Sequence, residues 1–211
     1  MAPTFCPDCV LCPRLSRFLA TTAHENPDYH CKPVAPFGAA APQLLIVGLA
    51  PGMHGANRTG RPFTGDYAGI LLYESLHALG LASAPVSEHR NDGLQLHGVR
   101  ITNAVKCLPP ANKPLPAEIR TCNQYLVAEL AELRSVKAIL ALGLVAHEAV
   151  LVAGGLKRSA AKFGHGSEHA MPDGRHLIDS YHCSRYNTQT RRLTTPMFRQ
   201  VLQRAAGLAG L

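Results

Sequence analysis

Charged residues are scarce in this chain, and long apolar runs are missing from it. Only 17% of its 211 residues are charged, while 46% are hydrophobic. This balance excludes an intrinsically disordered chain, which combines low hydrophobicity with high net charge. No stretch approaches the roughly 18 uninterrupted apolar residues of a membrane span. Residues 1–15 also lack an apolar core, so we expect no secretory signal, a cytoplasmic location and one domain.

Acidic residues are outnumbered by basic ones. The chain has 21 Lys and Arg residues against 14 Asp and Glu residues, which gives a net charge of +7. A basic surface attracts polyanions, so the charge predicts a partner such as a nucleic acid.

Two motifs of nucleotide chemistry are also missing. The glycine-containing segment 48–66 includes neither G-K-[ST] nor G-x-G-x-x-G. This excludes a phosphate-cradling P-loop and a dinucleotide-binding turn. None of the eleven histidines is followed two places later by glutamate. The zinc nucleobase deaminases, which need that H-x-E pattern, are therefore excluded.

The cysteines point to a metal site rather than to disulfides. Seven cysteines are an odd number, and without an export signal a closed disulfide framework is disfavoured. Cys6, Cys9 and Cys12 form a C-x2-C-x2-C run, and Cys107 and Cys122 follow far downstream. Two cysteines from the run with Cys107 and Cys122 make a set of four thiolates. Such a set suits zinc as well as an iron–sulfur cluster.

Strands and helices alternate from residue 43 onwards. Short apolar runs flanked by Gly, Pro or polar residues predict buried strands at 43–48, 99–103, 137–142 and 176–180. The intervening patterns predict helices at 70–79, 116–133, 145–152 and 196–206. Regular alternation favours a single α/β domain with a central four-stranded parallel sheet flanked by helices. We expect residues 43–211 to form this domain, and residues 1–42 to be an irregular, Cys-rich segment packed on it.

Three unusual loops begin at the carboxyl ends of these predicted strands. They span residues 48–66, 104–116 and 181–192. Because ligands bind outside the carboxyl ends of strands in open α/β sheets, we expect the three loops to meet at one cleft.

The same loops resemble the signature regions of a known enzyme family. They read GLAPGMHGANRTGRPFTGD, ITNAVKCLPPANKP and SYHCSRYNTQTRRLT. These motifs are similar to those of the family-5 (type B) uracil-DNA glycosylases, the iron–sulfur branch of their superfamily. The first motif reads Gly-Leu-Ala-Pro-Gly, with Ala50 at its centre, whereas the family-4 enzymes typically carry Gly-Glu-Gly-Pro-Gly. The resemblance implies a monofunctional enzyme, a monomer, that hydrolyses the N-glycosidic bond of uracil in DNA and leaves an abasic site. Hypoxanthine and xanthine are further candidate bases.

The resemblance also implies a pocket for a base turned out of the duplex, because the enzyme cannot reach its target inside the stack. Phe63 matches the aromatic residue that stacks on uracil, and Asn103 matches an asparagine that reads the edge of the base. Further substrate contacts are implied at Ala50, Asn57 and Asn187.

Three catalytic residues follow from the same motifs. His182 matches the histidine that donates a hydrogen bond to uracil O2 as negative charge develops on the leaving base. Asp66 matches the carboxylate that positions water, a role for which Asn57 and His54 are alternatives. Asn112 matches a further asparagine of the active site.

The last motif departs from the family pattern at Cys183, which replaces the proline of His-Pro-Ser, so the His182 loop loses a rigid residue.

Tyr186 lies in the segment that enters the duplex beside the flipped nucleotide. Lys106 and Lys113 are expected to contact phosphate rather than to form a Schiff base, so no strand cleavage is expected. The expected DNA contacts are Arg58, Arg61, Lys113, Arg185, Tyr186 and Arg191.

For the cysteines, the resemblance implies a [4Fe–4S] cluster held by Cys9, Cys12, Cys107 and Cys122, with zinc as the alternative metal. Cys6 is an alternative ligand because Cys6 and Cys9 have the same spacing as Cys9 and Cys12. The cluster is expected to tie the N-terminal segment to the loop that carries Asn112.

A different class of function also fits the cysteines and the basic loops. A non-catalytic four-cysteine module that binds nucleic acid or senses redox state would keep both features. It would not need Phe63, Asp66 and His182 to meet at one site. A covalently trapping relative is a second alternative, in which His182 would remain attached to DNA.

Overall fold

The computed structural model describes residues 3–211, which build one mixed α/β domain around a six-stranded sheet. The strands are β1 (Phe37–Gly38), β2 (Leu44–Gly48), β3 (Val99–Asn103), β4 (Ala138–Leu142), β5 (Glu168–Ala170) and β6 (His176–Ser180). Their order across the sheet is β1-β3-β2-β4-β6-β5. The four central strands are parallel, which confirms the predicted core. Two short antiparallel edge strands, β1 and β5, were not predicted.

Seven α-helices accompany the sheet in the described part of the chain. They are α1 (Pro13–Glu25), α2 (Ala56–Thr59), α3 (Tyr67–Ala78), α4 (Pro116–Glu132), α5 (Leu144–Ala153), α6 (Arg185–Gln189) and α7 (Thr195–Ala209). The four predicted helices correspond to α3, α4, α5 and α7. Among residues 3–211, no helix combines the length and apolar character needed to cross a membrane.

Helices cover both faces of the sheet, as side-chain alternation along the strands requires. Leu44 and Ile46 of β2 pack in the same core as α3 and α7. Leu45 and Val47, which point the other way, pack with α4 and α5. Because both faces are covered, every residue of β2 and of β4 is buried. This explains why β2 and β4 are nearly continuous apolar runs.

The expectation that residues 1–42 are irregular was wrong, because α1 occupies Pro13–Glu25. Proline is tolerated at the first helical position, so Pro13 starts the helix rather than breaking it. Leu15, Leu19 and Thr22 are its buried residues. Their spacing of four and three residues is the helical period.

An ion pair fixes α1 to the body of the domain. Arg14 donates two hydrogen bonds of 2.7 Å to the carboxylate of Glu118 in α4. Glu118 also accepts the backbone N–H of Leu115, and Arg14 donates to the carbonyl of Lys113. The N-terminal helix is therefore joined to the loop that precedes α4.

Candidate functional site

The three motif loops meet in one cavity at the carboxyl ends of β2, β3 and β6. The cavity has a volume of about 430 Å³. It is lined by Leu49, Ala50, Gly52, Phe63, Asp66, Tyr67, Ala68, Asn103, Asn112, His182, Ser184 and Arg185. The predicted convergence of the loops is therefore present.

A larger groove lies elsewhere on the surface. It has a volume of about 930 Å³, runs along α7 beside β5 and β6, and contains none of the predicted site residues. Its size alone does not make it a reaction site. In the smaller cavity several polar groups converge with an aromatic ring, which is the arrangement typical of a ligand site.

The ring of Phe63 occupies space in the cavity wall that is free because Gly48 has no side chain. Gly48 pairs with Asn103 at the ends of the two central strands. A Cβ atom at Gly48 would lie 2.6 Å from the Phe63 ring and 2.4 Å from Asn103 Oδ1. Phe63 itself has a left-handed backbone, with φ of 53°. This conformation is uncommon outside glycine, and at functional sites it persists when the surroundings enforce it.

Asn103 offers the cavity an open hydrogen-bond acceptor. Its side chain is only 3% exposed. Within residues 3–211, its Oδ1 atom has no hydrogen-bond partner. Buried polar atoms are nearly always paired, so an orphan in a cavity wall indicates a ligand group that completes the bond.

His182 faces Phe63 across the cavity. The two ring centroids are 6.0 Å apart and the ring planes differ by 29°. Burial lowers the pKa of His182 from 6.5 to about 4. The imidazole is therefore neutral at neutral pH, with one N–H group to donate.

The loop after His182 is held by local hydrogen bonds. Asn187 Nδ2 donates to the carbonyl oxygen of His182 over 2.8 Å. Ser184 caps α6 by accepting the backbone N–H of Asn187. Cys183 is completely buried. These contacts order the loop without the proline of the family motif. Asn187 braces this loop and does not line the cavity.

Asp66 lines the cavity and also caps a helix. Its Oδ1 atom accepts the backbone N–H of Gly69 over 2.9 Å at the start of α3. Burial raises the pKa of Asp66, although the backbone N–H groups of Gly69 and Ala68 partly offset this. A Cβ atom at Gly55 would lie 2.4 Å from Oδ2, so glycine there makes room for the carboxylate.

Asn112 reaches the cavity mouth from a strained turn. Ala111 and Asn112 both have left-handed backbones, with φ of 53° and 56°. Asn112 is exposed, as is the neighbouring Lys113. Two consecutive left-handed residues outside glycine are costly, which is typical of positions whose geometry serves a site.

Exposed cationic and aromatic side chains occur in the three loops that form the cavity. Arg185 lines it, and its guanidinium lies 5.9 Å from the ring centroid of Tyr67. Tyr186 is 71% exposed at the tip of the same loop. Arg58, Lys113 and Arg191 are also exposed.

Arg61 does not lie on this surface, so its assignment as a DNA contact was wrong. It is 5% exposed, and its Nη1 atom donates to Asp92 Oδ1 over 2.7 Å. It also donates to Ser87 Oγ and to the carbonyl of Arg90. Its guanidinium is already used by these partners and stands 4.3 Å above the ring of Phe37. Arg61 therefore anchors the 87–92 loop.

Lys106 is likewise buried, and phosphate cannot reach it. Its Nζ atom donates to Thr102 Oγ1 and to Glu129 Oε2, the latter over 3.3 Å. Glu129 also accepts a hydrogen bond from Arg100. The expected phosphate contact at Lys106 is therefore corrected to a buried ion pair between the segment after β3 and α4.

Two further predicted residues lie away from the cavity lining. Asn57 is completely buried, and its Nδ2 atom donates to Cys31 Sγ. His54 is exposed, with its Nδ1 atom 2.9 Å from the hydroxyl of Tyr29. Tyr67, by contrast, lines the cavity and was not predicted. Its position directly after Asp66, at the start of a helix, was the available signal.

Five cysteines converge at a second site. Cys6, Cys9, Cys12, Cys107 and Cys122 all line one small cavity between α1, α4 and the segment after β3. The hydroxyl of Tyr125 donates to Cys9 Sγ over 3.1 Å, and the backbone N–H of Lys106 donates to Cys122 Sγ over 3.3 Å. Thiols from distant parts of the chain are thus grouped, which is the donor set of a metal centre.

Comparison with known proteins finds type-5 relatives that match 96% of this chain. A family model described as the uracil DNA glycosylase superfamily matches residues 35–206. A type-5 uracil-DNA glycosylase of Thermus thermophilus is 49% identical over 208 residues, 96% of this chain and 94% of that protein. One from Mycobacterium tuberculosis is 42% identical over 96% of this chain and 79% of that protein. A type-4 uracil-DNA glycosylase of Thermotoga maritima is 37% identical, but over only 49% of this chain and 46% of that protein.

Proposed function

This chain belongs to the uracil DNA glycosylase superfamily, and we propose that it is a type-5 uracil-DNA glycosylase of DNA repair. The full-length similarity to type-5 proteins supports this. The observation that carries the proposal is the meeting of Phe63, Asn103, Asp66 and His182 in one cavity. A non-catalytic nucleic-acid module has no use for that convergence.

The first step is the binding of the flipped base in the cavity. We infer that uracil stacks on Phe63, whose ring lies close to Gly48. The free Oδ1 of Asn103 accepts the N3–H group of uracil, which satisfies an otherwise orphaned atom. A cavity of about 430 Å³ also has room for a bicyclic base. We therefore propose hypoxanthine and xanthine as further substrates.

Bond cleavage is assisted at the base by His182. As the bond between sugar C1′ and the base nitrogen breaks, its electron pair leaves with the base, and negative charge collects on uracil O2. The neutral imidazole donates a hydrogen bond to that oxygen. A donor already in place stabilises the anion by about 3 kcal/mol, because no reorganisation is needed at the moment of reaction.

The sugar side is served by Asp66. The carboxylate stabilises the positive charge on the sugar, orients the water that attacks C1′ and accepts the proton which that water loses. Ala50 has only a methyl group and cannot take this role. Asn112 covers the mouth of the cavity from the opposite loop. We assign catalysis to His182, Asp66 and Asn112, and base contact to Phe63, Asn103 and Ala50.

We propose that the enzyme cleaves the glycosidic bond only. Lys106 is bound to Glu129 away from the cavity and cannot form a Schiff base with the sugar. Arg58, Lys113, Arg185 and Arg191 bind phosphates, and Tyr186 fills the space left by the flipped base. We propose that the enzyme acts as a monomer. The DNA substrate fits the cytoplasmic location expected from the sequence.

The five-cysteine cavity fits an iron–sulfur cluster. A single zinc ion with bonds of about 2.3 Å would hold its sulfur ligands roughly 4 Å apart. Within residues 3–211, the cysteines provide no three sulfur atoms that lie within 4.8 Å of one another. The wider spacing suits a [4Fe–4S] cluster, whose ligands bind separate irons. We propose Cys9, Cys12, Cys107 and Cys122 as the ligands, with Cys6 as an alternative.

Bound there, the cluster would supply a structural crosslink. It would tie α1 to α4 and to the loop that carries Asn112, beside the ion pair of Arg14 with Glu118. Visible absorbance and iron content of the purified protein distinguish it from colourless zinc.

The function is tested with duplex DNA that contains one uracil, followed by alkali to cut abasic sites. We expect scission with the wild-type protein and none with a matched thymine duplex. His182→Ala is expected to lose about 10²–10³-fold in the single-turnover rate. Binding of uracil DNA without excision by the wild-type protein would refute the proposal. Protein attached to DNA on a denaturing gel would instead show a trapping mechanism.

A further inference from the structure

A second cluster of metal-binding side chains lies on the far edge of the sheet. His147 comes from α5, His169 from β5 and Asp179 from β6. One potential ligand atom from each lies within 4.8 Å of the others, and no other such trio occurs in residues 3–211. His147 and Asp179 are buried, while the side chain of His169 is 19% exposed. None of the three lines the glycosylase cavity or the cysteine cavity.

The two imidazoles converge on one carboxylate. His147 Nδ1 is 2.8 Å from Asp179 Oδ1, and His169 Nε2 is 3.2 Å from Asp179 Oδ2. The other nitrogen of His147, Nε2, is 3.1 Å from the carbonyl oxygen of Ala161. The backbone N–H of Gly164 donates to Asp179 Oδ2. Metal-bound histidines and carboxylates typically have such outer contacts, which fix their orientation.

These contacts are compatible with a cation between His147 and Asp179. A carbonyl oxygen only accepts hydrogen bonds, so His147 Nε2 must carry the hydrogen that points to Ala161. A neutral imidazole then has its lone pair on Nδ1, facing a carboxylate oxygen. Two lone pairs in a buried site repel each other unless a proton or a metal ion lies between them.

The arrangement of the two rings favours a metal ion. The imidazole centroids of His147 and His169 are 5.4 Å apart, and the ring planes are inclined at 67°. Two imidazoles bound at about 2.1 Å to one tetrahedral ion have their centroids roughly 5 Å apart. A proton between His147 and Asp179 accounts for one imidazole only, and His169 then needs its own hydrogen bond to Asp179 Oδ2, whereas one ion accounts for both rings. The partly exposed His169 gives the ion a path of entry.

We propose that His147, His169 and Asp179 bind a divalent transition-metal ion, with zinc as the expected ion. Two imidazoles and one carboxylate are a common ligand set for zinc, and an open fourth position is left for solvent. The ion would join α5 and β5 to β6, the strand that leads to His182. The site is separate from the cysteines.

The test compares three proteins whose metal content at the cysteines is first measured: wild type, His169→Gln and His176→Gln. His176 is an exposed histidine of β6 and serves as the matched control. Each protein is dialysed against a weak chelator and titrated with Zn²⁺ in competition with a chromogenic chelator. Zinc taken up by the cysteines is the same in all three and cancels from the comparison.

We expect wild type and His176→Gln to bind one more Zn²⁺ per chain than His169→Gln. At free Zn²⁺ about 100-fold above Kd, the melting temperature should rise by roughly 5–10 °C in the first two proteins only. The edge position of His169 makes its replacement tolerable, and an unchanged circular dichroism spectrum verifies folding. Equal zinc uptake by wild type and His169→Gln would overturn the proposal and leave a buried imidazolium–carboxylate pair.

Discussion

The substitution Gly48→Ala should displace the groups of the base pocket and slow uracil excision, while the protein still folds. A Cβ atom at residue 48 would lie 2.4 Å from Asn103 Oδ1 and 2.6 Å from Phe63 Cζ. Comfortable contact begins near 3.5 Å, so the amide and the ring must each move by about 1 Å. The backbone can accept alanine, because Gly48 is not among the glycines with a left-handed conformation.

The expected loss falls on the reaction rather than on DNA binding. A misplacement of about 1 Å at reacting groups costs on the order of 10²-fold in rate. Overpacking a closed site costs about 1–3 kcal/mol of folding free energy. We therefore expect a single-turnover excision rate about 100-fold lower, with affinity for uracil-free duplex within about threefold of wild type.

Gly52→Ala is the matched control in the same loop. Its Cβ atom would meet only Asp66 Oδ2, at an ordinary 3.8 Å. The rates come from alkali cleavage of uracil duplex, and the stabilities from urea unfolding. If Gly48→Ala excises uracil as fast as Gly52→Ala does, then the Phe63 and Asn103 positions do not set the rate, and the proposed pocket is wrong.

Three further predictions concern charge. Because the pKa of His182 is lowered to about 4, the stability linked to its neutral form is complete above about pH 6.5 and declines as the pH falls towards 4. The excision rate should then show no change near pH 6.5 that is caused by titration of His182. A rate change near pH 6.5 that is present in the wild type and absent from His182→Ala would contradict this prediction. Asp66→Asn should lower the rate yet raise the melting temperature at pH 7, since burial raises the pKa of Asp66 and asparagine caps a helix equally well; a lower melting temperature would count against it. Arg61→Ala should cost about 3–5 kcal/mol in urea unfolding by breaking a buried pair, whereas Arg58→Ala should leave stability unchanged and reduce the salt dependence of DNA binding by about one ion. If Arg61→Ala instead left stability unchanged and reduced the salt dependence of DNA binding, then Arg61 would be a DNA contact.

Local patterns were sufficient for most of the fold. All four central strands were predicted because buried parallel strands are short apolar runs with clear flanks. The helix α1 was missed because Cys12 and Pro13 suggested an irregular segment. The spacing of Leu15, Leu19 and Thr22 held the correct signal. Edge strands of two and three residues leave almost no pattern, so β1 and β5 were out of reach.

The residues of the candidate site also divide into those that local motifs predicted and those whose surroundings only the structure showed. Phe63, Asp66, Asn103, Asn112 and His182 were selected from motifs and all line one cavity. Sequence could not show which polar residues near those motifs are exposed. Whether a Lys or Arg side chain reaches solvent depends on acidic residues that are remote in the chain. No local spacing predicts those pairings.

The sequence by itself determined the α/β alternation, the loops that form the cleft and the family motifs, because each rests on residues close together in the chain. Tertiary structure alone decided that Arg58 faces solvent while Arg61, three residues later, is buried against Asp92. It also enclosed Lys106 with Glu129 and brought His147, His169 and Asp179 together. In each case the partner comes from a separate element, and burial makes the pairing obligatory because an isolated polar group inside the protein is too costly.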